Sequence, residues 1–94
     1  MFYNLTPAQY AAELRESAER SDRSADRYAV EGKPWSAGEE KYMRRQSRRL
    51  RAMATLCDRS TATRAGEVDF LGLHDPTRER EREDEIVAGI EAAA

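Results

Sequence analysis

Residues 41–57 read Lys-Tyr-Met-Arg-Arg-Gln-Ser-Arg-Arg-Leu-Arg-Ala-Met-Ala-Thr-Leu-Cys. Met43, Gln46, Leu50, Met53 and Cys57 follow one another in steps of three and four, the period of one face of an α-helix. At 100° per residue, Lys41, Arg44, Arg45, Arg48 and Arg51 fall on the opposite arc, with Arg49 at its edge. The stretch therefore predicts a helix with an apolar stripe turned inward and an arginine-rich face turned away from the helix–helix seam.

Upstream, Gly32-Lys33-Pro34 interrupts the helical period, and Ser36-Ala37-Gly38-Glu39 restarts it with the pattern of a capping box, so a helix over 37–59 is expected. Before the break lies another helix, predicted over 7–30. Thr6 and Gln9 can cap each other, Pro7 stands where its missing N–H costs nothing, and Leu5 and Tyr10 occupy the staple positions. Along it Ala11, Leu14, Ala18, Ser21, Ala25 and Tyr28 form a heptad seam whose small residues admit a close neighbour. So short a connection between two long helices implies an antiparallel hairpin.

Downstream, residues 60–75 lose the period and contain Gly66 and Gly72. Val68, Phe70 and Leu73 among acidic residues predict an extended arm, since a lone strand would have nothing to pair with. Asp75-Pro76 has the form of an N-cap and first-turn proline for a third helix over 76–92. Its start, Arg78 to Glu85, is wholly charged and is expected to project into solvent, with only Ile86, Val87 and Ile90 docking. The fold class is thus all-α, a single domain over 1–94 with a helical hairpin and a shorter charged C-terminal helix.

A chain of 94 residues with seven aromatics and abundant alanine has little bulk for a monomeric core. Oligomerisation is expected to complete the bundle, a homodimer or higher oligomer meeting along Ala11, Leu14, Ala18, Ala25 and Tyr28. Fourteen arginines against two lysines suggest a GC-rich bacterial or phage-like source. One cysteine, Cys57, excludes an intrachain disulfide and fits a reducing compartment. With no apolar run of spanning length and no leader pattern at Met1–Leu5, a cytoplasmic location without membrane contact is expected.

The net charge of −2 conceals segregation: residues 41–64 carry eight cations and one anion, while residues 1–40 carry five and eight, and residues 65–94 three and nine. Nothing in the chain resembles a nucleotide-binding glycine loop, a nucleophile elbow or a metal-ligand spacing. His74 reads as an exposed loop residue and Cys57 as a small buried hydrophobe. No enzyme, no cofactor and no metal site is expected. The candidate binding residues are Lys41, Arg44, Arg45, Arg48, Arg49 and Arg51, whose cations suit phosphate or carboxylate. Trp35, Phe70, Leu71 and Leu73 are candidate hydrophobic anchors.

The reading these features favour is a non-enzymatic accessory or inhibitor protein, of the sort carried by phages or mobile elements, which docks on a protein partner with an acidic patch. A nucleic-acid or nucleotide binder using the same arginines is the alternative, weakened by the acidic flanks and by the lack of aromatics interleaved on the arginine face. A purely structural homo-oligomer, its basic helix paired with Glu79–Glu85 of a neighbour, is the third.

Overall fold

The computed structural model describes residues 4–93. Three α-helices, α1 (Pro7–Glu31), α2 (Ser36–Arg59) and α3 (Arg80–Ala92), are joined by a tight turn and by a connection containing one 3-10 turn at Ala65–Glu67. Among the described residues there is no strand.

α1 starts where its cap residues direct. Thr6 Oγ1 accepts from the Gln9 N–H at 3.1 Å and Gln9 Oε1 accepts from the Thr6 N–H at 2.9 Å, so two donors at the helix start are satisfied reciprocally. The helix stops at Gly32, whose φ of +70° is the left-handed conformation that glycine adopts without steric cost. α2 starts by another device than the expected capping box. Ser36 is its first residue, and the serine Oγ accepts from the Lys33 N–H behind it at 3.2 Å, closing the hairpin turn instead of capping the helix.

The pairing of α1 with α2 is antiparallel and can be read from three ion pairs, Arg15–Asp58, Asp22–Arg51 and Asp26–Arg44, in which one number rises as the other falls. Between these rails the apolar stripes meet. Ala11, Leu14, Ala18 and Ala25 are buried, as are Leu50, Met53, Ala54 and Cys57. The seam assigned to a second copy is therefore already covered within one chain. Small side chains let α2 approach closely, and the connection and α3 add bulkier side chains to the same core. Tyr28, the last seam position, is half-buried and meets the Trp35 ring edge-on at 6.0 Å.

The connection is no extended arm. Its Ala65 N–H donates to the Leu5 carbonyl at 2.8 Å, tying it to the chain start. Val68, Phe70 and Leu73 are buried in the same core as Leu14 and Leu50, and Phe70 meets Tyr10 edge-on at 5.9 Å. The bulk missing from the alanine-rich seam is supplied here. A turn with positive φ at both Leu71 (56°) and Gly72 (87°), closed by the Leu73 N–H to the Phe70 carbonyl at 2.9 Å, brings Leu73 inward.

α3 begins at Arg80, four residues later than Asp75-Pro76 suggested. Asp75 caps a turn of its own instead: its Oδ1 accepts from the Thr77 N–H at 2.9 Å and from the Thr77 hydroxyl at 2.7 Å. Of the charged start of α3, Arg80, Glu81, Arg82, Asp84 and Glu85 are exposed as expected, and Glu83 is the exception. Glu83, Val87 and Ile90, spaced by four and three, face inward and are all buried.

Candidate functional site

Helix α2 lies between α1 and α3, and its arginines divide between them. On the α1 side Arg44 reaches Asp26 at 3.2 Å and Glu40 at 2.9 Å, while Arg51 reaches Asp22 at 2.5 Å. A hydrogen bond with the buried Ser47, and then that with Arg51, holds the Asp22 carboxyl below the usual carboxylate range. On the α3 side Arg45 meets Glu83 at 2.8 Å and Asp84 at 3.0 Å, and Arg48 grips Glu91 with two bonds of 2.9 and 2.6 Å. The bidentate contact raises the basicity of Arg48 and lowers the Glu91 carboxyl.

The arginine face expected to look outward is thus half-covered by the chain's own acidic helix. Of the six cations, Lys41 alone has no carboxylate partner among the described residues. Arg49 turns furthest inward, with 13% of its side chain exposed; its guanidinium donates to the Leu73 carbonyl at 3.0 Å and contacts Met53 Sδ at 3.3 Å.

Where α2, α3 and the connection meet, Glu83 is buried with 6% of its side chain exposed. Arg45 and Arg78 bind its carboxylate and Arg49 Nε stands 3.9 Å away. Arg78 also donates to the Asp75 carbonyl, which fastens the turn before α3 to the same cluster. Two clefts open beside it. One, of about 540 Å³, has Lys41, Arg44, Arg48 and Asp84 on its wall. The other, of about 390 Å³, has Gln46, His74, Pro76 and Arg78. Tyr42, Arg45, Arg49, Arg80 and Glu83 line both, and Tyr42 is half-exposed. Together the walls hold seven cations and two carboxylates, so the surface is electropositive although the chain is net acidic.

The candidate anchors separate. Phe70 and Leu73 are core residues and are withdrawn from any partner. Trp35 and Leu71 stay about half exposed. Trp35 is engaged locally, with Tyr28 at its edge and Lys33 Nζ 5.4 Å from its ring centre. Cys57 is buried, which pushes its thiol pKa up and leaves it a poor nucleophile. His74 is exposed at the smaller cleft, edge-on to Phe70 at 6.1 Å. Among the described residues no group of three His, Cys, Asp or Glu could hold a metal ion, and no helix is long and apolar enough to cross a membrane.

Sequence reasoning missed Glu83, Arg78 and Arg80. For Glu83 a signal existed: it stands four residues before Val87 and seven before Ile90, on the one apolar stripe α3 has. No family model matches the chain, and comparisons with curated proteins and with solved structures likewise give no match, so the chemistry of the clefts is what speaks to function.

Proposed function

We propose that this chain is a small non-enzymatic binding protein whose α2–α3 face docks on an acidic patch of a protein partner. One observation carries the reading. Around the half-exposed Tyr42, Lys41 and Arg80 have no carboxylate partner among the described residues, whereas Arg44, Arg45 and Arg48 are already held in place by their own carboxylates. Pre-ordered arginines reduce the side-chain entropy lost on docking, and uncommitted cations at the rim steer an acidic surface toward it. Tyr42 takes the anchoring role, since a tyrosine at the centre of a charged rim is the residue type on which interface energy concentrates.

The roles separate kinetically. Loss of the Tyr42 ring is expected to raise the off-rate about 30-fold, for about 2 kcal/mol of anchor energy. Reversing Lys41 and Arg80 to glutamate is expected to lower the on-rate and flatten its salt dependence. The test places the photo-crosslinker p-benzoylphenylalanine at position 42 in the cells that make the protein. A discrete protein adduct that disappears in K41E/R80E supports the reading; adducts with nucleic acid, or adducts indifferent to the charge reversal, refute it.

A further inference from the structure

The Glu83 cluster contains more positive charge than its own carboxylates neutralise. Arg49 and Arg78, with 13% and 19% of their side chains exposed, share that one buried carboxylate, and Arg45 turns partly to Asp84 at the rim. Arg49 Nε is buried without a hydrogen-bond partner. A largely buried guanidinium facing a second one is costly to keep charged, and burial followed by the nearness of Arg78 makes Arg49 less basic than an ordinary arginine. Arg80 adds a fourth guanidinium on the wall of the smaller cleft. Four guanidiniums thus face Glu83 and Asp84, with the Asp75 carboxylate turned aside to Thr77, around a space of about 390 Å³.

Several guanidiniums on one wall select their counterpart. A carboxylate brings one negative charge, and a phosphomonoester brings about 1.5–2 together with three acceptor oxygens that suit several guanidiniums at once. The space exceeds a phosphate group alone, and Tyr42 and Pro76 on its wall offer apolar surface to the group that the phosphate esterifies. We infer that the cleft between α2 and the turn before α3 is a phosphomonoester site. Arg78, Arg80 and Arg49 supply the charge, His74 and Tyr42 flank the opening, and Glu83 keeps the guanidiniums apart and oriented. This site shares Tyr42 and Arg80 with the docking face above but not Lys41, and phosphate binding reads it without a protein partner.

The experiment titrates ¹⁵N-labelled protein with inorganic phosphate at constant ionic strength, with chloride as the control anion, and follows amide shifts. Saturable shifts confined to residues near Tyr42, Arg49 and 74–83 are expected, together with about tenfold weaker binding in R80Q, the loss expected for one charge-assisted hydrogen bond. R23Q, which alters an exposed arginine on α1, is expected to bind as the parent does. Shifts that never saturate, that spread equally over α1, or that are unchanged in a folded R80Q overturn the inference. Adenosine monophosphate and phosphoserine are then compared with inorganic phosphate. Tighter binding of the nucleotide identifies a small-molecule source and tighter binding of phosphoserine a modified side chain, whereas an ester that binds more weakly than phosphate itself overturns the assignment of the space to an esterified group.

Discussion

Replacing Glu83 by glutamine should undock α3 while leaving the hairpin folded. The carboxylate is the shared acceptor of Arg45 and Arg78 and the nearest anion to Arg49, and the amide that replaces it carries no charge. Breaking a fully buried ion pair by removing one partner costs about 3–5 kcal/mol. Here the three arginines keep between 13% and 26% of their side-chain exposure, so water recovers part of that, and about 2–3 kcal/mol is the expected loss. α3 is otherwise held by Val87, Ile90, the exposed Arg48–Glu91 and Arg45–Asp84 pairs and the hydrogen bonds of Arg45 and Arg59 to the Arg80 and Ile90 carbonyls, which is less than the α1–α2 seam provides. The loss is therefore expected to appear first as local opening. Native-state hydrogen exchange reads it directly: amides of 83–92 should exchange about 30- to 150-fold faster in E83Q, while those at the centres of α1 and α2 slow or quicken by less than about threefold. If the α3 amides exchange at the parent rate, Glu83 is not what fastens this helix, and the reasoning from the buried carboxylate fails.

Other consequences follow from single positions. Leu73→Ala should cost about 2–5 kcal/mol by urea unfolding, because Leu73 is fully buried where the connection enters the core; a loss under about 1 kcal/mol would mean the connection does not belong to that core. Leu71→Asn should stabilise by about 0.5–1 kcal/mol, since asparagine tolerates the positive φ that leucine adopts here at a cost, and an unchanged unfolding midpoint would argue against a left-handed residue 71. Asp22 and Glu91 are depressed in the folded chain, so the stability they add is fully present above the ordinary carboxylate range near pH 4 and is lost as pH falls below it. Asp22→Asn should flatten that acid limb in a pH series of thermal melts, and an identical limb would remove Asp22 from the account.

Much of the architecture was legible because it is local. Thr6, Pro7 and Gln9 lie within one turn and act on each other, and Gly32 ends the helix by its own backbone conformation. The stripes through Ala11 to Ala25 and through Met43 to Cys57 show which faces are buried, but periodicity identifies a face and not what covers it. That is why a seam assigned to a second copy turned out to be filled from within, and why arginines facing away from α1 could still lie under α3. Asp75 misled for a similar reason: its carboxylate can cap a helix or a turn, and the choice depends on Thr77 and on Arg78 being drawn to Glu83. Residues 60–75 show no period because turns, not a regular element, direct Phe70 and Leu73 inward. Glu83 was readable from its spacing to Val87 and Ile90, yet within a run of eight charged residues its inward register was outweighed by composition.

The Arg48–Glu91 contact spans forty-three positions along the chain, and Arg45 waits nearly as long for Glu83 and Asp84. During translation at about 5–20 residues per second, about 2–6 s pass between the addition of Arg59, which completes the arginine helix, and that of Glu91 in its acidic cover. For that interval Arg45 and Arg48 have been made and their carboxylate partners on α3 have not all been added. The order of residues thus gives this protein a basic phase at birth and a more nearly neutral one after α3 has closed.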